Sequence, residues 1–304
     1  MVLTSAPDLI ERLSEIQELP TLPKIAVEVS EVISDPLFSM EDLEKVILQD
    51  PALSTKVLRV ANSAYYCFRI PITTIRRALT ILGLKGIQQI VLSISVIKAF
   101  EPRLGQATFD REAFWQHSAS TGAVTFAFSE KLKTLDNRAL RSASEAAFIS
   151  GLLHDLGKIV LDTYFHEDFE KVLSLVATEK LPMIEAERNV FGADHAIVGG
   201  WIAKHWRLPE NVISAIRYHH EPENSQDHHI LVCCVHLGDL FCKVGGTGFG
   251  NEPIIIKFLS LPAWRALVAI FPQLKFIDME RFTFELEEEF EKSRELLAIF
   301  RGRH

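Results

Sequence analysis

The sequence predicts an all-α protein: two closely packed helical lobes followed by closing C-terminal helices. Three observations predict it. Apolar residues recur at helical spacing in segment after segment, the pattern of helices that bury one face. Helix-start chemistry stands where that spacing begins, as at Ser39 and at Asp50-Pro51. No convincing series of alternating apolar and polar residues marks a strand. Only 252–256, with three consecutive isoleucines, tolerates a short extended piece.

The elements follow in order. Segment 8–18 starts on Asp8 and carries Leu9, Ile10, Leu13 and Ile16. Pro20 and Pro23 break the chain before 24–34, with Ile25, Val27, Val29, Val32 and Ile33. Ser39 precedes Asp42 by the capping-box spacing, and Leu43, Val46 and Ile47 follow. Asp50 caps a helix with proline at its first position. That helix, 52–61, buries Leu53, Val57 and Val60 and stops at Asn62-Ser63. Segments 74–82 and 87–100 are two helical stretches separated by a tight corner at Gly83-Leu84-Lys85-Gly86. A long helix over 109–132 is rich in Ala and Ser, and 144–164 reads as one apolar helical region. Helices are expected over 182–191, 194–206, 209–219 and 229–243, and 261–271 and 278–300 close the chain. The glycine run 245–250 lacks the lysine and preceding strand of a phosphate-binding loop, so it reads as a plain loop. The expected divisions are 1–105, 106–244 and 245–304. No linker separates the first two, which are expected to pack directly.

Composition bounds the function. The chain has 304 residues, 48% of them hydrophobic, enough for a sizeable core. A net charge of −8 argues against general nucleic-acid binding, though a local basic pocket for one phosphate remains compatible. No uninterrupted apolar run reaches the roughly 18 residues that cross a bilayer, and the start lacks a secretory profile. A cytoplasmic protein without membrane partners is expected. Four cysteines, Cys67, Cys233, Cys234 and Cys242, show no disulfide spacing. Buried free thiols are favoured over a zinc cluster with His236, since no CxxC pair is present.

The chemistry sits in the histidines. Eleven are present and none precedes His117. Together with carboxylates they form the usual donor set for zinc, iron or manganese. Within Gly151-Leu152-Leu153-His154-Asp155-Leu156-Gly157-Lys158 a His-Asp dyad is expected inside an apolar helix. A buried unpaired carboxylate is costly, and a metal ion removes the cost. The dipeptide alone also fits a chance pairing with a capping aspartate. Asp239 lies in another apolar helix, with His236 one turn earlier on the same face. His236 is a candidate for orienting Asp239 or a water. Arg59, Asn62 and Tyr65, with Tyr66 beside them, gather at one helix end. They form either a partner or ligand surface or a polar corner that closes the helix.

The dyad segment, with His117 upstream and Asp239 downstream, resembles the H…HD…D signature of the HD superfamily of helical metal-dependent phosphohydrolases. Segments 187–200 and 215–222 resemble HDOD proteins in particular. So do Leu19-Pro20-Thr21-Leu22-Pro23, Asp50-Pro51-Ala52-Leu53 and 57–66 in the first half. The resemblance covers roughly 12–243 and implies that the second lobe is an HD-type helical bundle. It assigns His117, His154, Asp155 and Asp239 to a first metal, with Asp155 bridging to a second. It assigns His195, His219 and His220 to that second ion. It gives Asp155 and Lys158 catalytic roles, the lysine steadying a phosphate. The implied cofactor is a divalent transition metal, two ions of iron, manganese, zinc or nickel. The Gly-Tyr-Pro loop of the HD-GYP relatives is absent after Glu221, so cyclic di-GMP hydrolysis is not expected. The resemblance implies a regulatory signal-transduction protein with a metal centre, whose partners are signalling proteins or a phosphorylated small molecule or nucleotide. The alternatives are an active phosphohydrolase on an unknown phosphate ester and a metal-free interaction scaffold.

Overall fold

A computed structural model describes residues 6–16, 21–66, 68–100, 109–248 and 257–302, with positions 6–7, 137–142 and 279–280 described for the backbone only. The extended piece expected at 252–256 and the thiol Cys67 lie outside these residues.

Among the described residues every regular element is helical. In chain order they are α1 (Ala6–Ser14), α2 (Lys24–Ser34), α3 (Met40–Leu48), α4 (Pro51–Ala61), α5 (Ile75–Ala99), α6 (Arg111–Leu135), α7 (Asn137–Leu153) and α8 (Leu156–Tyr164). There follow α9 (His166–Glu179), α10 (Met183–Phe191), α11 (His195–His205), α12 (Glu210–Tyr218), α13 (His229–Cys242), α14 (Pro262–Ile270) and α15 (Met279–Arg301). The chain divides into two compact units. One comprises Met1–Leu19 and Pro102–Glu287, the other Pro20–Glu101 and Glu288–His304.

The second of these is built from α2 to α5 and the end of α15. Ser39 and Asp42 form the expected reciprocal cap, the Asp42 amide donating to Ser39 Oγ at 3.2 Å and the Ser39 amide to Asp42 Oδ2 at 3.1 Å. Asp50 Oδ1 accepts from the Leu53 amide at 2.9 Å. The corner between two helical stretches falls at Gly83, inside the span assigned to α5, with φ 69 and ψ 174, a conformation open to glycine alone. Asn62 closes α4. Its Nδ2 donates to the Leu58 and Ile72 carbonyls at 2.8 and 2.7 Å, and its Oδ1 accepts from the Ile72 amide at 2.7 Å. Asn62 thus acts in the polar corner. Arg59 and Tyr65 beside it are half-buried, and Tyr65 meets Tyr66 edge-on at 5.0 Å.

The first-named unit holds α6 to α14. α6 and α7 pack against each other and against α13, and α8 packs on α11, which meets α12. Three expectations need correction. The apolar region 144–164 is two helices, because the chain turns at His154-Asp155 between α7 and α8. The dyad therefore stands at a helix junction, where consecutive side chains are not held to helical spacing. The helix expected at 8–18 begins before Asp8 and ends at Ser14. α9 went unrecognised, although its buried Phe169, Val172 and Val176 recur at helical spacing.

Two helical spans, Ile75–Ala99 and His229–Thr247, are long and apolar enough to cross a membrane, against the expectation of none. Half of each apolar window is buried. The first is broken at Gly83, and the second carries the buried Asp239. Core packing accounts for their composition.

A buried ion pair ties α6 to α8. Arg111 and Asp162, 8% and 0% exposed, meet through Nη2 and Oδ2 at 2.7 Å, and His166 Nδ1 donates to Asp162 Oδ1 at 2.9 Å. Arg111→Ala leaves a buried carboxylate uncompensated. A loss of about 3–5 kcal/mol is expected in urea unfolding, with a smaller loss in the double variant Arg111→Met, Asp162→Leu.

Candidate metal centre

Two close helix crossings bring the ligands together. α7 lies so near α6 that a Cβ at Gly151 would stand 2.7 Å from Gly122 Cα. α8 lies against α11 so closely that a Cβ at Gly157 would stand 1.9 Å from the His195 carbonyl oxygen. The first contact places the α7–α8 turn, with His154 and Asp155, beside His117 on α6. The second places Asp155 beside His195, the first residue of α11. His219 and His220 follow the last residue of α12, and Asp239 comes from α13.

All seven sequence-assigned ligands converge, in two groups. Asp155, His195, His219 and His220 form one, and His117, His154 and Asp239 the other, each with one donor atom per residue lying within 4.8 Å of the rest. Asp155 stands between them. Its Oδ1 is 3.0 Å from His195 Nε2 and 3.6 Å from His219 Nε2. Its Oδ2 is 3.4 Å from His154 Nε2 and 3.7 Å from His117 Nε2. Asp155 occupies the N-cap position of α8, yet its side chain makes no capping bond. Asp239 Oδ1 lies 3.0 Å from His117 Nε2 and 3.5 Å from His154 Nε2. His220 is half-buried; the other six are buried.

The imidazoles are held in one tautomer. His154 Nδ1 donates to the Gly151 carbonyl at 2.7 Å and His219 Nδ1 to the Ile216 carbonyl at 2.8 Å. His117 Nδ1 donates to the Thr247 carbonyl at 3.0 Å, and His195 Nδ1 to Glu187 Oε2 at 2.6 Å. Carbonyl and carboxylate oxygens only accept, so each Nδ1 carries a proton and each Nε2 is the atom left facing inward. His220 and His195 bring their Nε2 atoms to 2.8 Å, and His195 and His219 theirs to 3.3 Å. His117 Nε2, His154 Nε2 and Asp239 Oδ1 are buried without a hydrogen-bond partner. Converging Nε2 atoms and buried unpartnered donor atoms fit a divalent cation.

The electrostatics agree. Burial disfavours a charged Asp155, but His154, Lys158 and His195 outweigh it and hold the carboxyl far below its usual range. Burial likewise opposes charge on Asp239, which Lys243, His117 and His154 overcome. Burial drives His219 down to about 4 and His220 well below its usual value. His154 and His195 are pushed down by burial but raised to about 9 by their carboxylate neighbours. Bound metal must displace those protons, so affinity is expected to rise with pH.

The remaining candidates fall around this core. Lys158 faces the site, 1% exposed, with Nζ 2.7 Å from Asp155 Oδ2. His236 Nδ1 donates to the His219 carbonyl at 2.8 Å. It therefore steadies the turn that carries His219 and His220, rather than bonding Asp239. Three contributors escaped sequence reasoning. Glu187, 0% exposed, orients His195; a charged residue inside the apolar stripe of Met183, Ala186 and Phe191 was the available signal. Lys243 holds Asp239 Oδ2 at 2.9 Å. The Thr247 carbonyl belongs to the glycine-rich segment read as a plain loop, and a backbone acceptor leaves no sequence signal. Cys233, Cys234 and Cys242 are free and buried, and no metal-competent group among the described residues contains a cysteine. His166 pairs with Asp162, and His205 stacks on Trp201 at 5.7 Å.

Glu187→Gln keeps the shape but removes the anionic acceptor. Metal affinity is expected to fall about 10–100-fold in competition with a chromogenic chelator.

The chain matches the HDOD domain family over residues 19–222. It belongs to that family. The HDOD chain is 26% identical to an HDOD domain protein of unknown function from Geobacter sulfurreducens, with a TM-score of 0.77 and 96% of each chain covered. A candidate phosphohydrolase from Shewanella amazonensis shares the fold at 22% identity, with a TM-score of 0.72 and coverage of 98% of this chain and 99% of that one. An uncharacterized protein of Treponema pallidum is 29% identical over 242 residues, 78% of this chain. The chain spans about half the length of that relative, 45% of it. The HDOD family and the all-α fold thus stand as the sequence indicated.

Proposed function

We propose that this HDOD protein is a signal-transduction module of the cytoplasm that carries a two-ion divalent metal centre. His117, His154 and Asp239 would hold one ion and His195, His219 and His220 the other, with Asp155 placed between the two groups. The observation that carries the reading is the set of four buried imidazoles, each fixed through Nδ1 by a protein acceptor, with Nε2 facing a shared carboxylate. Evenly spaced structural histidines would not share one tautomer and one focus.

Two divalent ions at such a site supply Lewis acidity toward a phosphate ester and an attacking water. The chain's own residues do the rest. Asp155 keeps the two groups in register and is itself fixed by Lys158. Lys158 offsets negative charge brought by a phosphate. His220, half-buried, is the most accessible ligand. The regulatory reading leads because the site offers little exposed surface to a substrate, six of its seven ligands being buried. Its partners would be signalling proteins or a phosphorylated small molecule or nucleotide. Phosphohydrolase activity is the second reading, favoured by the complete ligand set. A metal-free scaffold is disfavoured by the unpartnered buried donor atoms.

The test is metal analysis of purified protein after reconstitution with iron, manganese, zinc or nickel, followed by a panel of phosphate esters. Two ions per chain without turnover supports the regulatory reading. Turnover that is lost on chelation supports the enzyme. No bound metal under any reconstitution removes both.

A further inference from the structure

The unit formed by Pro20–Glu101 and Glu288–His304 has a cavity of its own, about 360 Å³, where the first turns of α2, the α3–α4 junction and the last turns of α5 meet. Three chemistries line it. The floor is apolar, from Ile25, Leu53 and Ile94. Three lysines, Lys24, Lys56 and Lys98, also line the cavity. Acceptors come from Glu28, Asp50 and the Gln49 amide.

The lysines differ in their engagement. Lys56 spends its ammonium on the Phe300 carbonyl at the end of α15, at 2.7 Å. Lys98 is exposed and, among the described residues, pairs with no carboxylate. Lys24 pairs with Glu28 at 3.0 Å but its side chain is 90% exposed, and so open a pair contributes little and exchanges readily. Asp50 uses one oxygen to cap α4. Ser95, 3% exposed, adds a hydroxyl to the wall.

A bare inorganic anion suits this lining poorly, because two carboxylates oppose it and the floor contributes nothing. A purely apolar ligand leaves the charged groups unused. The match is a molecule with a phosphate for the lysines, hydroxyl donors for the carboxylates and a flat apolar face for the floor. We propose that this cavity binds a nucleotide, with phosphate toward Lys98 and Lys24, sugar hydroxyls on Asp50 and Glu28, and the base over Leu53 and Ile94. Carboxylates suit sugar hydroxyls, ammonium groups suit phosphate, and the volume falls in the range of small-ligand sites. The site stands whatever the metal centre does.

The test is calorimetric titration of the full-length protein with AMP, GMP, CMP and UMP, and with guanosine and inorganic phosphate. At least one nucleoside monophosphate is expected to bind one per chain. Guanosine and inorganic phosphate are each expected to bind about tenfold more weakly or worse. Lys98→Glu should weaken nucleotide binding about tenfold without moving the thermal midpoint, and excess chelator should leave the parent's nucleotide binding unchanged. The proposal is overturned if none of the four nucleotides binds, or if inorganic phosphate binds as tightly as the nucleotides. It is also overturned if Lys98→Glu has no effect, or if excess chelator abolishes the binding, which would place the nucleotide at the metal centre.

Discussion

Asp155→Ala is expected to empty both halves of the metal centre and to destabilise the protein. Among the described residues, Asp155 is the one carboxylate within 4 Å of His117, His154, His195 and His219 together. Without it His195, His219 and His220 are left as a group of imidazoles alone. It is also the partner of Lys158, whose ammonium is 1% exposed. Removing one member of a buried pair costs about 3–5 kcal/mol. Elemental analysis should therefore show less than one ion per chain after reconstitution, and urea unfolding a reduced midpoint. Asp155→Asn separates the two effects. It preserves volume and a donor–acceptor group, so it should lose metal while retaining more stability than the alanine variant. Full metal content in either variant would refute the bridging role.

Gly157→Ala is expected to do comparable damage from outside the ligand set. The added methyl would stand 1.9 Å from the His195 carbonyl oxygen and 2.8 Å from the Gly199 amide nitrogen. These are backbone atoms, so no rotamer change relieves the clash and α8 must part from α11. Overpacking typically costs about 1–3 kcal/mol, and a backbone clash belongs at or beyond the upper end. The parting also draws His195 away from Asp155, now 3.0 Å apart. Melting should occur at a lower temperature, and metal content should fall toward the one ion held by His117, His154 and Asp239. A variant that melts and loads like the parent would show that the contact is not needed.

Much of this was legible in the sequence, for physical reasons that differ by element. Helix caps such as Ser39–Asp42 and Asp50 are local, so spacing alone located them. The ligands were legible because histidines and aspartates in apolar surroundings demand a partner. What stayed hidden depends on tertiary contact. The turn at His154-Asp155 lacks proline or any other local breaker and is imposed by packing, so 144–164 read as one helix. Asn62 read as either a partner surface or a polar corner, and only the fold shows its amide closing that corner on the Ile72 backbone ten residues later. The Thr247 carbonyl acts through the backbone and has no residue signature at all. The cavity beneath Lys98 gathers residues from three separated segments, which no linear pattern reveals.

The imidazole tethers have a consequence for how this protein meets its metal. His154 and His219 each bond back to the carbonyl three residues earlier, Gly151 and Ile216, at the ends of α7 and α12. Helix ends leave such carbonyls in need of donors, so these rings are anchored by the same interactions that finish their helices. The receptor for the ion is thus assembled during folding, and the ordering cost is met before any ion arrives.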